Sequence, residues 1–246
     1  MSKSVARMMV LLMLCGCAAA RNAAANSAAK PLRASELLAL VAGSVLPENI
    51  VRNIAADGLA FRPNDSYRGL LKMAGADPKV LAAFESAKVV VDQAPETESG
   101  KVLLQHIATA GGMINDKRNE EAANELTAAV TANFKSPECG FVMGQVLRLE
   151  ERWEEAASIY QEVLREAPDF PEAHTKLSYM LYRTNDPQQG LIEARTALKL
   201  TPDNAEAHKN AGLSLATMRK FDAALAEYQE AVRLKPDYVA CISTWA

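Results

Sequence analysis

The chain has 246 residues, of which 49% are hydrophobic and only 6% aromatic, and its formal net charge is −3. This length allows one or two domains with a sizeable core, and the composition favours packed helices over strands. The negative balance excludes an overall basic field that would draw in nucleic acid. Beyond the N-terminus, no run of about 20 apolar residues is present that could span a membrane. We therefore expect an all-α protein that does not bind nucleic acid.

Residues 1–20 have the organisation of an export signal: a positively charged start, a short apolar run and small residues at the end. The sequence LCGC at positions 14–17 also resembles the bacterial lipobox. That resemblance implies acylation of Cys17 and a lipid-anchored protein in the periplasm or at the outer membrane. The first cysteine is unusual inside this motif. Secretory cleavage after Ala20, and a start site placed wrongly in the sequence, therefore remain alternatives.

Residues 21–31 are small and polar and predict a linker, whereas residues 32–90 predict a small helical domain. Its DGLAFRP and LLKMAGAD segments resemble an uncharacterised helical module that precedes repeat arrays in some bacterial proteins. The resemblance implies no activity, and a spacer or docking unit is the simplest interpretation. Four helices are predicted from their start and end signals, which are Ser35 and Gly43, Pro47 and Gly58, Asp65 or Ser66 and Gly75, and Asp77-Pro78.

Residues 137–238 repeat with a period of 34, marked by Pro168, Pro202 and Pro236, each followed by aspartate. The other columns of the repeat are Gly144, Ser178 and Gly212; Leu147, Leu181 and Leu215; Ala156, Gly190 and Ala224; and Tyr160, Ala194 and Tyr228. Such a period predicts helix-turn-helix units that must stack to bury their apolar faces. The pattern resembles the tetratricopeptide repeat (TPR) family, which implies a right-handed α-solenoid. The family's leading tryptophan is replaced here by Gly140, His174 and His208.

Three clear units are predicted, and the tyrosines of the last column are expected to pack against the small columns. The units span 137–170, 171–204 and 205–238, with helices at about 137–150, 153–166, 171–184, 187–200, 205–218 and 221–234. Residues 91–100 are polar and predict a linker. Residues 101–136 fit the same frame as a degenerate first unit, with Phe134 where proline is expected. Residues 239–246 continue the frame as the start of a further unit or as a cap, and a truncated longer array is a third interpretation.

No set of residues predicts catalysis, a metal site or a cofactor. His106, His174 and His208 fall in one column of different units, so each is expected to pack between its own pair of helices. Cys139 and Cys241 fall three units apart, beyond the reach of a disulfide. The Gly111-Gly112 pair lies in a helical stretch and is not a phosphate-binding motif.

In the TPR family, the first helices of successive units line a concave groove that holds peptides or partner segments. The groove residues implied by this resemblance are Phe141, Gln145, Arg148, Lys176, Tyr179, Tyr182, Arg183, Lys209 and Asn210. Phe141 and Glu206 occupy two places that the family's carboxylate clamp requires, so a clamp of that kind is not expected. We predict a non-catalytic scaffold of the bacterial cell envelope that binds a protein or peptide. A structural or self-oligomerising envelope component, and the regulatory part of a longer enzyme, are alternatives.

Overall fold

A computed structural model describes residues 30–91, 97–131 and 136–238, and the regular structure in these ranges is helical. The predictions for the export signal with Cys17, for Phe134 and for residues 239–246 lie outside the described residues. Within the described ranges, no helix is both long enough and apolar enough to cross a membrane. The helices are α1 (Ala34–Ala42), α2 (Pro47–Asp57), α3 (Asp65–Met73), α4 (Pro78–Glu85), α5 (Glu98–Asn115), α6 (Asn119–Thr131), α7 (Pro137–Leu149), α8 (Trp153–Glu166), α9 (Pro171–Arg183), α10 (Pro187–Leu200), α11 (Ala205–Thr217) and α12 (Phe221–Leu234), followed by a 3-10 turn at Pro236–Tyr238.

The start of α1 differs from its prediction, because Ser35 lies inside the helix instead of capping it. The backbone N–H of Arg33 donates instead to the carboxylate of Glu36 at 3.0 Å. The Ser35 hydroxyl donates to Glu138 at 2.8 Å, a residue of α7 that is 103 positions away. The Ser35 hydroxyl, which the local sequence pattern predicted as the N-cap, is therefore used in a tertiary hydrogen bond instead.

The start of α3 also differs, since the cap is Asn64 and not Asp65 or Ser66. The side-chain oxygen of Asn64 accepts a hydrogen bond from the backbone N–H of Tyr67 at 2.9 Å. Asparagine is as good an N-cap as aspartate or serine, so residue type alone does not distinguish Asn64 from Asp65 or Ser66. The predicted cap of α4 is confirmed, because the carboxylate of Asp77 accepts from the N–H of Lys79 at 2.8 Å.

Helices α1–α4 form a module that is fastened together by three extended segments and by an aromatic cluster. Leu59 pairs in parallel with both Leu32 and Val89 as isolated bridges. In the same module, the ring of Tyr67 lies 4.8 Å from that of Phe61 (centroid to centroid). The module is thus a packed body, which we call the N-terminal module.

Helices α5–α12 form four antiparallel pairs, and the helices from α7 onwards lie within one residue of their predicted bounds. Each pair turns through one residue in the left-handed region with φ between 58° and 64°, these residues being Lys117, Glu151, Asn185 and Arg219. They are spaced by 34, so α5 and α6 share the geometry of the three later pairs. Helix α5 begins at Glu98, and the last three residues of the predicted 91–100 linker are therefore helical.

The packing of tyrosine on the small column is confirmed in the first and third clear units. A Cβ added at Gly144 would lie 2.6–2.9 Å from three ring carbons of the fully buried Tyr160. The corresponding distances from Gly212 to Tyr228 are 2.4–3.0 Å. In the middle unit the column carries Ser178, and Ala194 takes the place of the tyrosine. The architecture is an all-α solenoid of helical repeats.

Candidate functional site: the first-helix face

The first helices of the four pairs, α5, α7, α9 and α11, form one side of the array, which we call the first-helix face. The partner groove was predicted on this side from the family resemblance. The N-terminal module packs against this face, with α1 lying on α5 and α7. The buried core is accordingly continuous from the module into the array, running from Leu32 to Leu181.

Glycines allow the module to approach the array closely. A Cβ at Gly43, which ends α1, would lie 2.3 Å from Cε1 of Phe141 in α7. A Cβ at Gly111 in α5 would lie 2.9 Å from that of Ala42, and one at Gly112 would lie 2.8 Å from the carbonyl oxygen of Met73. The adjacent glycines of α5 thus seat both α1 and α3. This explains the pair that the sequence left without a role.

Polar side chains extend the contact to the later units. The amide of Asn53 donates to the carboxylate of Glu172 at 2.7 Å. The amide of Asn49 donates to the side-chain oxygen of Asn204 at 3.2 Å. Glu172 and Asn204 are 4% and 1% exposed, so these bonds lie beneath the surface. Because buried polar groups need partners, the pairs fix the register of α2 across the starts of α9 and α11.

Two buried carboxylates belong to this contact. Glu138 accepts from Ser35 at 2.8 Å and from the guanidinium of Arg33 at 3.0 Å. Burial raises the pKa of Glu172, although the hydrogen bond from Asn53 and the charge of Lys176 oppose that rise. Neither carboxylate is accessible to a partner in this arrangement.

The module and the packing of the array change the predicted groove. Phe141, Gln145, Lys176 and Asn210 are buried, with exposed fractions of 0–5%. We therefore correct the prediction for these four residues, which do not offer accessible surface in this structure. Phe141 lies under Gly43 of the module, and the other three engage in internal bonds. Lys176 donates to Glu206 at 3.2 Å, Asn210 donates to the carbonyl oxygen of Thr175 at 2.9 Å, and Gln145 accepts from Arg148 at 2.9 Å.

The five other predicted residues reach the surface and lie together. Arg183 is exposed, and Arg148, Tyr179, Tyr182 and Lys209 are partly exposed. With Trp153, which the sequence did not single out, they form what we call the open patch. Trp153 begins the second helix of its unit, a position that the family's groove pattern does not include. Its residue type, tryptophan, was the only feature of the sequence that could have indicated a role in binding.

Rings and cations alternate in the open patch. The guanidinium carbon of Arg183 lies 3.9 Å from the ring centroid of Trp153, and its Nη1 donates to the hydroxyl of Tyr179 at 3.1 Å. The rings of Tyr179 and Tyr182 have centroids 6.0 Å apart. The ammonium of Lys209 lies 5.7 Å from the ring centroid of Tyr179. The two distances from a cation to a ring centroid fall within the range of cation–π attraction, so these side chains hold one another in place.

The carboxylate of Glu206 lies among the cations next to the open patch. Burial alone would raise the pKa of Glu206, but the charges of Lys176, Lys209 and Arg148 lower it overall. Glu206 is therefore ionised at neutral pH and neutralises Lys176, to which it is bonded through both oxygens. Among the described residues, no carboxylate forms a salt bridge with Arg148, Arg183 or Lys209.

The three histidines pack between the helices of their own units, as predicted. Each lies within 2.6–2.8 Å of a glutamate 19 residues later on the second helix, the pairs being His106–Glu125, His174–Glu193 and His208–Glu227. The second ring nitrogen of His174 faces the carbonyl oxygen of Pro168 at 2.8 Å. Burial alone would lower the pKa of His174, but Glu193 and this carbonyl raise it overall. The glutamates, which the sequence analysis missed, make each pair a clamp inside its unit.

Comparison with known proteins gives a family and a fold. Residues 141–239 match the tetratricopeptide repeat family in two overlapping segments, 141–194 and 177–239. No curated protein matches the chain. The fold is similar to that of YrrB, described as a TPR protein with an unusual peptide-binding site. The two are 16% identical with a TM-score of 0.53, over 82% of this chain and 91% of YrrB.

The fold is also similar to that of MamA in two solved structures. MamA from Desulfovibrio magneticus RS-1 is 19% identical with a TM-score of 0.51, over 58% of this chain and 78% of that one. MamA of MSR-1 is 13% identical with a TM-score of 0.51, over 71% of this chain and 93% of that one. At these identities the likeness concerns the fold alone.

Proposed function

We propose that this chain, whose residues 141–239 match the tetratricopeptide repeat family, is a non-catalytic scaffold whose open patch binds a partner protein. The repeat fold is that of a protein–protein interaction scaffold. Proteins of this kind are typically non-catalytic.

The observation that carries the proposal is the division of the first-helix face. The N-terminal module covers α5 and α7 through α1, and it covers the starts of α9 and α11 through α2. The open patch lies beyond this cover, at the ends of α7 and α9, with Trp153 at the start of α8 and Lys209 in α11. Its side chains are tyrosine, tryptophan and arginine, the types that dominate binding energy at interfaces. YrrB, which shares the fold, is described as having a peptide-binding site, and this also supports a peptide-like partner segment.

Site-specific photocross-linking tests this proposal. A photoreactive amino acid is placed at Tyr182 in the open patch of the full-length chain, in cells of the source organism. The control position is Ile192, which is 55% exposed on the second helix of the same unit. We expect a discrete cross-linked product from Tyr182 that is lost when Tyr179 is replaced by alanine. Equal cross-linking from both positions, or none from Tyr182, would contradict a partner site in the patch.

We further propose that the scaffold is exported and held at the bacterial envelope by a lipid on Cys17. The support is the LCGC sequence at positions 14–17, behind a positively charged start and an apolar run. A scaffold tethered in this way would present the open patch from a membrane surface without spanning it.

Metabolic labelling tests this part separately from partner binding. Cells are fed an alkyne-bearing fatty acid, and the chain is compared with its Cys17→Ala variant. Label on the parent chain that is absent from the variant, together with loss of the variant from the membrane fraction, is the expected result. An unlabelled parent chain in the soluble fraction would favour the alternative of ordinary secretory cleavage.

A further inference from the structure

Resting on the proposed function, we propose that the open patch recognises an acidic peptide segment of the partner. Carboxylates of this segment would contact Arg148, Arg183 and Lys209, and an apolar side chain would lie against the rings of Tyr179 and Trp153. The inference follows from the charges around the patch, from the orientation of Arg183 and from the buried pairing of Lys176.

The patch carries cations that no carboxylate pairs directly, although the net charge of the chain is −3. Glu150 and Glu155, which flank Trp153 in the sequence, are both paired with Arg152. Within the part of the chain that the structure describes, no carboxylate forms a salt bridge with Arg148, Arg183 or Lys209. The neighbouring pair, Lys176 and Glu206, is internally neutral and largely buried. Arg148, Arg183 and Lys209 all reach the surface. A surface of this kind attracts an acidic segment and repels a basic one, which sets both the association rate and the choice of partner.

The stacking of Arg183 prepares it for a carboxylate. A guanidinium lying 3.9 Å from the ring centroid of Trp153 directs its N–H groups outward in the plane of the group. One of these donors is used by the hydroxyl of Tyr179. Paired donors in a fixed plane match the two oxygens of a carboxylate, and such charge-assisted bonds are about twice as strong as neutral ones. Because Arg183 is already ordered, little side-chain entropy is lost on binding.

Lys209 supplies a second cation near Tyr179. Its ammonium lies 5.7 Å from the ring centroid of Tyr179 and 5.2 Å from that of Tyr238. Both cations thus lie within 6 Å of the ring centroid of Tyr179, Arg183 at 5.9 Å and Lys209 at 5.7 Å, and an apolar side chain placed near this ring would have two cations close by. A segment in which acidic residues neighbour an apolar one satisfies this arrangement.

Selection from a phage-displayed library of random dodecapeptides on the full-length chain tests the inference. We expect the selected peptides to be enriched in aspartate and glutamate relative to the unselected library. A synthetic copy of the most enriched peptide should lose affinity by about tenfold or more when its acids become asparagine and glutamine. Its affinity should also fall as salt is raised, because the contacted charges are exposed.

Charge reversal in the chain supplies the complementary measurement. The double variant Arg183→Glu plus Lys209→Glu should bind the acidic peptide at least about tenfold more weakly and gain affinity for a lysine-substituted copy. The matched control, Arg165→Glu plus Lys199→Glu, reverses two exposed charges on the second helices. It should change the affinity by less than about twofold, since these charges lie outside the patch.

The outcomes separate this inference from the proposed function. Neutral or basic peptides whose binding depends on Tyr179 would overturn the acidic partner and leave the scaffold role intact. Selected peptides that bind the Tyr179→Ala variant as well as the parent chain would count against the patch itself. Tighter binding of a twelve-residue thymidine oligonucleotide than of the selected peptide would point to nucleic acid and overturn the inference.

Discussion

Replacing Gly43 by alanine tests whether the N-terminal module covers the first-helix face. The added Cβ would lie 2.3 and 2.7 Å from two ring carbons of Phe141, whereas carbon atoms in good contact are about 3.5–4.0 Å apart. Phe141 has little room to withdraw. It is fully buried, and its ring centroid lies 4.8 Å from that of Phe170 and 5.8 Å from that of Tyr160. Either the ring shifts within a packed core or α1 moves away from α7.

The expected cost follows from this overlap. Extra methyl groups in a well-packed core lower the free energy of unfolding by about 1–3 kcal/mol. Gly69 in α3 provides a matched control within the same module, since a Cβ there would have nothing within 4 Å. Alanine at Gly69 should raise the free energy of unfolding by about 0.5–1 kcal/mol, because glycine is unfavourable inside a helix. The two variants are thus expected to change stability in opposite directions.

Urea unfolding followed by circular dichroism measures both variants, and hydrogen exchange adds the location of the change. A shift of α1 should also loosen the contact of α2 with Glu172. Gly43→Ala is therefore expected to speed hydrogen exchange of the backbone amides at the start of α9. If Gly43→Ala is as stable as Gly69→Ala and exchange in α9 is unchanged, Phe141 does not lie under α1. The covering of the face by the module would then be refuted.

Three further outcomes are expected from the packing and the titrating groups. Gly144→Ala should lower the free energy of unfolding by about 1–2 kcal/mol by overpacking Tyr160, and a Tyr160→Ala background should remove most of this loss in a double-mutant cycle. Because the pKa of His174 is raised by folding, its contribution to stability is fully present below the unfolded value of about 6.5 and is lost as pH rises through the folded value. His174→Gln should therefore flatten the change in unfolding free energy between about pH 6 and 8, and an unchanged slope would count against the clamp. Glu172→Gln keeps the acceptor for Asn53 and removes a carboxylate whose pKa is raised by burial, a penalty that appears as pH rises above about 4.5. Urea unfolding at pH 7 should find this variant at least as stable as the parent chain, and a large loss would show that the charge itself holds the module.

The array could be predicted from the sequence because its signals are local and repeated. Proline just past each second helix, such as Pro168 and Pro202, ends the helix wherever it stands. Small residues such as Gly144 leave room only for a neighbour such as Tyr160. The proline recurs every 34 residues in the three clear units, and residues 101–136 fit the same frame as a degenerate unit.

The docking of the N-terminal module could not be predicted, because its contacts join residues that are far apart and individually ordinary. The local sequence predicted Ser35 as a helix N-cap, yet its hydroxyl donates a hydrogen bond to Glu138. Asn53 carried no signal at all, and its partner Glu172 is 119 positions away. The groove prediction therefore treated the whole surface of the first helices as open, whereas the module covers part of it.

The residue types of the site were easier to predict than their environment. Tyr179, Tyr182 and Arg183 follow from the family pattern, and all three reach the surface. Trp153 joins them because the start of α8 lies beside α9, a proximity that only the stacked structure shows. Phe141 satisfied the same family pattern, but the protein's own module covers it.

The central claim is that the first-helix face is divided between the N-terminal module and a partner segment. Hydrogen exchange of the full-length chain, measured with and without a saturating acidic peptide from the library, tests this claim most directly. We predict slower exchange at the end of α9, from Tyr179 to Arg183, and around Lys209, with α1 and α2 unchanged. Faster exchange in α1 and α2, with new protection around Phe141, would show that the peptide displaces the module and would contradict the account.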